Sequence, residues 1–162
     1  MKHAQANQIF VWALAAIIMT LLLIFGYRAI NTITSRGEQV QYLGFQNELR
    51  SVIESTMDYG AERRASFRPP AGFKEVCFVK TYGGLPSVNA VPDKYPLIRD
   101  NINSQISTSN VYLVKEVSEE SFSIGDIDVE GEVSGFLCVE VKNGEINLRI
   151  EGFGKYAKVY SD

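Results

Sequence analysis

Near the start of the chain, apolar positions run without a polar interruption. Residues 9–27 read Ile-Phe-Val-Trp-Ala-Leu-Ala-Ala-Ile-Ile-Met-Thr-Leu-Leu-Leu-Ile-Phe-Gly-Tyr and carry no charge. A helix crossing a bilayer needs about 20 apolar residues, so the run predicts a transmembrane helix over residues 9–30, after a short tail or leader over residues 1–8. Ile9, Leu22 and Phe25 belong to its apolar body. Thr20 has the interior hydroxyl and can bond back to a carbonyl one turn earlier. Trp12 and Tyr27 stand near the two ends, where rings with a polar tip favour the headgroup zone, and Arg28 can reach its guanidinium to the surface. A cleaved signal peptide has a shorter apolar region, about 7–15 residues, and a small-x-small exit. Neither residues 27–29 nor residues 33–35 provide that exit. A buried helix of a water-soluble domain would show a polar side, and this run shows none.

The pattern then becomes amphipathic. Tyr42, Phe45, Leu49, Val52, Thr56 and Tyr59 follow one another in steps of three and four, and Leu43, Ile53 and Met57 widen the stripe. Gln41, Gln46, Glu48, Arg50, Glu54 and Asp58 lie opposite. This is one face of an α-helix that needs a covering surface. Ser35 and Glu38 have capping-box spacing, and only Gly37 argues for a break, at about 1 kcal/mol relative to Ala. The expectation is a stalk helix within residues 31–68, reaching about Glu62 and continuous with the first helix if Gly37 is tolerated. Arg63, Arg64 and Arg68 follow it, and Pro69-Pro70 stops any helix.

From Phe73 the period changes to that of strands, and residues 69–162 read as an antiparallel β domain. Strands are expected over residues 73–82, 110–117, 121–129, 136–141, 146–150 and 156–160. A short helix is expected over residues 95–106, with Leu97, Ile98, Ile102 and Ile106 on one side. Gly125 weakens the 121–129 run and suggests a bulge. Asn143-Gly144 between two alternating runs is the strongest short-range hairpin signal, since both residues accept a type I′ turn. That hairpin would set Leu137, Val139 and Val141 beside Ile146, Leu148 and Ile150. The fold class is therefore α+β, a long N-terminal hydrophobic and amphipathic helix covering a C-terminal antiparallel sheet of five or six strands.

Charge divides the chain in the same way. The 162 residues carry a net −3, but from Asn31 onward 14 Lys and Arg face 19 Asp and Glu. An acidic soluble part argues against nucleic acid as a partner. The two cysteines, Cys77 and Cys138, lie in similar apolar contexts, Val-Cys-Phe and Leu-Cys-Val. Either they are buried free thiols, or they form a bridge outside the cytosol. A bridge would close a loop of about 60 residues, worth roughly 4 kcal/mol in the loop-entropy account.

Candidate chemistry is sparse. Asp126, Asp128, Glu130 and Glu132 alternate, with Gly131 in sixth place, as in the first half of a calcium loop. The twelfth position, however, is Leu137, where a bidentate Glu is required, and a strand with one wet face gives the same alternation. His3 stands alone near the N-terminus, so no Ser/His/Asp or Cys/His arrangement can be assembled. No catalytic residue, cofactor or metal is expected.

The order of parts resembles the type IV pilin family: a short basic leader, an apolar helix, an amphipathic continuation and an antiparallel sheet. Lys2-His3-Ala4 followed by Gln5 resembles an archaeal-style leader. The resemblance implies cleavage between Ala4 and Gln5. Ala4 stands where glycine is more usual, and Ile9 takes the fifth position after the cut, where pilins usually carry glutamate. The resemblance further implies that the apolar helices pack with copies of themselves or with other pilin-like helices, in the manner of a minor pilin or pseudopilin. The β domain is then expected outside the cytoplasm of a single-pass cell-membrane protein. Positive charge gives that orientation no help, with Lys2 before the span and Arg28 and Arg36 after it. A signal-anchored binding module of unknown ligand, which recognises a partner through loops such as residues 82–96, is the alternative.

Overall fold

The computed structural model describes residues 3–86, 88–104, 108–116, 119–131 and 135–162, with side chains described for these except residues 3–9, 31–36, 88 and 119. Helix α1, His3–Thr56, is unbroken through Gly37, so the apolar span and the stalk are one element. The chain forms two compact units, Met1–Val40 and Gln41–Asp162. The proposed cap at Ser35 lies outside the described side chains.

In the second unit, α1 buries Phe45, Leu49, Ile53 and Thr56, with Tyr42, Val52 and Met57 partly covered. The stripe is thus narrower than its sequence pattern. Leu43 is 53% exposed and Tyr59, past the helix end, is 85% exposed. The helix stops at Thr56, six residues before the expected end. Ser55 and Thr56 both donate their hydroxyls to Val52 O, at 3.0 and 2.7 Å, a local alternative to continued helix. Gly60 then takes a positive φ of 83°, which reverses the chain at little steric cost. Residues 62–67, assigned to the stalk from sequence, form strand β1, Glu62–Phe67, paired over six positions with β7, Ile146–Gly152. Its arginines are compatible with helix; burial of Phe67 and the pairing with β7 decide otherwise.

The remaining strands are β2 Glu75–Val79, β3 Val111–Val114, β4 Glu119–Phe122, β5 Ile127–Glu130, β6 Phe136–Glu140 and β8 Ala157–Ser161. Helix α2 spans Pro96–Ser104; Ile106 of the expected helix and Val117 of the expected third strand lie outside the described residues. Among the described residues the one expected sheet is two of four strands each, ordered β1-β7-β8-β5 and β4-β3-β2-β6. All described pairings are antiparallel except β5 with β8, which is parallel.

Two expectations change for one reason. The 121–129 run is no single bulged strand: Gly125, with φ 96°, divides it into β4 and β5, which lie in different sheets. Buried Asn110 fixes this crossing. Its Oδ1 accepts the Ile124 amide at 3.0 Å and its Nδ2 donates to Gly125 O at 2.6 Å, while Thr81 Oγ1 accepts the Ile127 amide at 3.1 Å. Asn143 and Gly144 adopt the expected turn, with φ of 54° and 80°, but they too hand the chain from one sheet to the other. Only Lys142 and Glu145 pair across it. Leu137 and Val139 therefore meet Ile146, Leu148 and Ile150 as opposed layers of one core and not as strand neighbours.

The second sheet is covered on both faces. Val76, Phe78, Val111 and Leu113 face the main core with α1. Cys77, Val79, Tyr112 and Phe136 face a smaller core closed by Tyr95, Ile98 and Ile102. Two-sided burial accounts for the unbroken apolar run in β2. The first sheet keeps one wet face, and β7 alternates strictly through Ile146, Leu148 and Ile150.

The end of α1 is locked to the β7–β8 turn. Gly60 N donates to Gly152 O at 3.0 Å, Gly152 N to Ala61 O at 2.8 Å and Gly154 N to Met57 O at 2.7 Å. A Cβ on Gly152 would overlap the carbonyl oxygens of Thr56 and Asp58. Gly152→Ala is therefore expected to cost about 3 kcal/mol through forced backbone displacement, read as a lower urea midpoint with an unchanged slope. An unchanged midpoint would show that this approach does not constrain the fold.

Candidate functional site

Two features carry the functional argument. The first is the apolar part of α1. Over Phe10–Ile30 it is long and apolar enough to cross a membrane, and none of it is buried within the chain. Leu22 is 67% exposed and Trp12 and Tyr27 each 70%; Phe25 is similarly open. Fourteen large apolar side chains from Phe10 to Ile30 are exposed. At roughly 1.5–3 kcal/mol for each such side chain fully buried, their cover is worth on the order of 20 kcal/mol or more. That exceeds the about 5–15 kcal/mol by which a domain is usually folded, so an apolar environment for this stretch outweighs any local preference. Thr20 Oγ1 donates to Ala16 O at 2.8 Å, which satisfies the one interior hydroxyl. Ala4, Gln5 and Ile9 lie within α1 by backbone; their side chains are outside the described set.

The second feature is the disulfide between Cys77 and Cys138. Each sits mid-strand, Cys77 in β2 and Cys138 in β6, directly opposite in the antiparallel register, with Cα atoms 4.0 Å apart. Cross-strand pairs of this non-hydrogen-bonded type bring side chains closest. Sequence reasoning found the two residues but not their register, because residues 73–82 and 136–141 show no pairing preference of their own.

The bridge lies beneath a polar cluster that the sequence did not reveal. The Tyr95 hydroxyl donates to Glu75 Oε2 at 2.6 Å, and Lys94 Nζ donates to Glu75 Oε1 at 3.1 Å. The same ammonium stands 4.6 Å from the centre of the Tyr95 ring. Burial works to raise the Glu75 carboxyl, but the hydrogen bonds from Tyr95 and Lys94 and the Lys94 charge outweigh it, and the group titrates below its ordinary 4.5. Burial, and then the bond to Glu75, push the Tyr95 hydroxyl up to about 12. The cluster ties the segment before α2 to the start of β2, over the small core that holds Cys77. Glu75 and Tyr95 are 20 positions apart, and neither belongs to a pattern that names the other.

The alternating acids lie at the start and on the outer side of β5. Asp126 is exposed, Asp128 pairs with Lys80 at 3.3 Å, and Glu130 pairs with Lys158. Leu137 is in the main core, and Glu132 lies outside the described residues. The acids are thus used as the wet face of a strand. No protein-family model matches the chain, and neither a curated protein nor a solved structure matches it significantly.

Two measurements check this arrangement. Replacing both Cys77 and Cys138 by serine is expected to lower stability by about 4 kcal/mol, the loop-entropy value for cysteines 61 residues apart. Urea titrations with and without reductant should show the same loss in the wild type and no further loss in the double variant. For Glu75 the folded value is depressed, so its contribution is complete above the unfolded carboxyl value and disappears as pH falls through the folded one. Glu75→Gln is expected to be less stable than wild type at pH 7 and to lose less on acidification below 4.5. Parallel acid profiles would remove Glu75 from the account.

Proposed function

We propose that the chain is a membrane-anchored, pilin-like structural subunit of minor-pilin or pseudopilin type, with its disulfide-bonded β domain on the non-cytoplasmic side. The observation that carries this reading is an apolar stretch, Phe10–Ile30, none of it buried within the chain, in the same unbroken helix whose later turns supply Phe45, Leu49 and Ile53 to the domain core. A helix satisfies its own backbone in lipid, so one element can serve both environments. The disulfide supports the outward orientation, since such bonds persist in oxidising compartments. In the pilin reading, Ala4/Gln5 is the processing site, and the exposed apolar surface meets the helices of other copies or of related subunits.

One feature favours a second reading. Ile9 stands where a pilin glutamate would pair with a neighbouring N-terminus, and an uncharged residue cannot make that ion pair. Without it, the chain works as a single anchored module that presents its domain alone.

Two determinations on the full-length protein in cells decide between them. N-terminal sequencing of the mature protein is expected to start at Gln5 for the pilin-like subunit and at Met1 for the anchored module. Protease added to intact cells is expected to remove the β domain in both. A domain that is protected until the cells are lysed, with Cys77 and Cys138 reduced, would overturn the outward orientation.

A further inference from the structure

The second sheet has an edge with unfilled hydrogen-bonding positions. Among the described residues strand β6 pairs with β2 alone. In that ladder Lys80 N donates to Gly135 O at 2.9 Å and Val141 N donates to Lys74 O at 2.8 Å. Antiparallel rungs alternate, so Leu137 and Val139 turn their backbone groups toward β2, whereas Phe136, Cys138 and Glu140 turn theirs away. At Phe136 the outward carbonyl is already covered, because a Cβ on Gly131 would fall 2.6 Å from it. Cys138 and Glu140 instead line a groove of about 750 Å³, together with Tyr95, Arg149 and Tyr160. Among the described residues no backbone bond occupies their outward positions.

Charge along this edge is unbalanced. Glu75 and Glu140 are direct cross-strand partners, and like charges so placed destabilise a sheet. Glu75 is neutralised by Lys94. Glu140 is exposed and, among the described residues, forms no ion pair: the cations that share its groove are engaged elsewhere, Arg64 with Asp162, Lys94 with Glu75 and Arg149 with Glu151. A third strand position in the same row would sit next to Glu140 on the side away from Glu75.

We propose that the β6 edge takes up an extended basic peptide strand, which bonds to the outward backbone groups of Cys138 and Glu140 and sets a lysine or arginine beside Glu140. Main-chain bonds supply the attachment and the side-chain row supplies the choice, as in other cases of strand addition. The next residue on the same face falls beside Cys138 and Phe136 and is expected to be apolar. The site does not depend on the membrane span, so its test stands apart from that of the anchor.

The experiment uses the full chain in detergent micelles and two capped six-residue peptides of alternating Val and Thr, one with a central lysine and its twin with glutamate. The readout is amide hydrogen exchange at single residues. Without peptide, the amides of Cys138 and Glu140 should exchange freely while those of Leu137 and Val139 are protected. The lysine peptide is expected to slow Cys138 and Glu140 by at least about tenfold, and the glutamate peptide to have no effect. Glu140→Lys should reverse the preference and Glu140→Gln should abolish it, with the protection of Leu137 and Val139 confirming the fold of each variant. The proposal is overturned if Cys138 and Glu140 are protected before any peptide is added. It is equally overturned if neither peptide slows them, or if both do so irrespective of residue 140.

Discussion

A polypeptide in hydrocarbon has no water to bond its backbone, and the α-helix meets that requirement entirely within itself. Helix α1 depends on this property. Because it carries no unmet backbone need, its side chains alone decide its surroundings, and they change along its length. Over Phe10–Phe25 they are apolar on every side, apart from the Thr20 hydroxyl. From Tyr42 they are divided, with Phe45, Leu49 and Ile53 in the core and Asn47, Ser51 and Glu54 in water. The tolerance of Gly37 within the helix follows, since a single glycine costs only about 1 kcal/mol against the burial gained by the later turns.

The β domain is held together by crossings between its two sheets and by the junction of α1 with the first of them. The β4–β5 passage turns at Gly125 and is fixed by Asn110 and Thr81, the Asn143-Gly144 turn passes from β6 to β7, and Gly152 joins the end of α1 to the β7–β8 turn. Each crossing relies on a residue that can do what its neighbours cannot: a glycine with positive φ, a buried amide with two partners, a backbone with no Cβ. The disulfide adds a covalent tie inside one sheet, between β2 and β6, and the Glu75–Lys94–Tyr95 cluster holds its cover in place. Among the described residues, β6 is one of the outer strands of these sheets, and its Glu140 stands across from Glu75 without an ion pair of its own.

The sequence made the local parts legible and left their assembly hidden. The apolar span, the start of the amphipathic stripe at Tyr42, the Asn-Gly turn and the last strand are all properties of short windows, and each is present. Pairing across the molecule is not such a property. Residues 136–141 and 146–150 alternate in a way that suits a hairpin, and nothing within them shows that they belong to opposite sheets. Residues 62–67 carry two arginines that fit a helix terminus; only the six-position register with β7 makes them a strand. The cysteines were visible as a pair, whereas the cluster above them arises from groups 20 positions apart.

Retention of the full-length protein in membranes after alkaline carbonate extraction tests the central claim most directly. Carbonate strips proteins held by charge or by partners and leaves those held by apolar burial in lipid. The exposed surface of Phe10–Ile30 predicts that the chain remains wholly in the membrane pellet and is released only by detergent. Recovery of the intact chain in the carbonate supernatant would contradict a membrane-spanning helix.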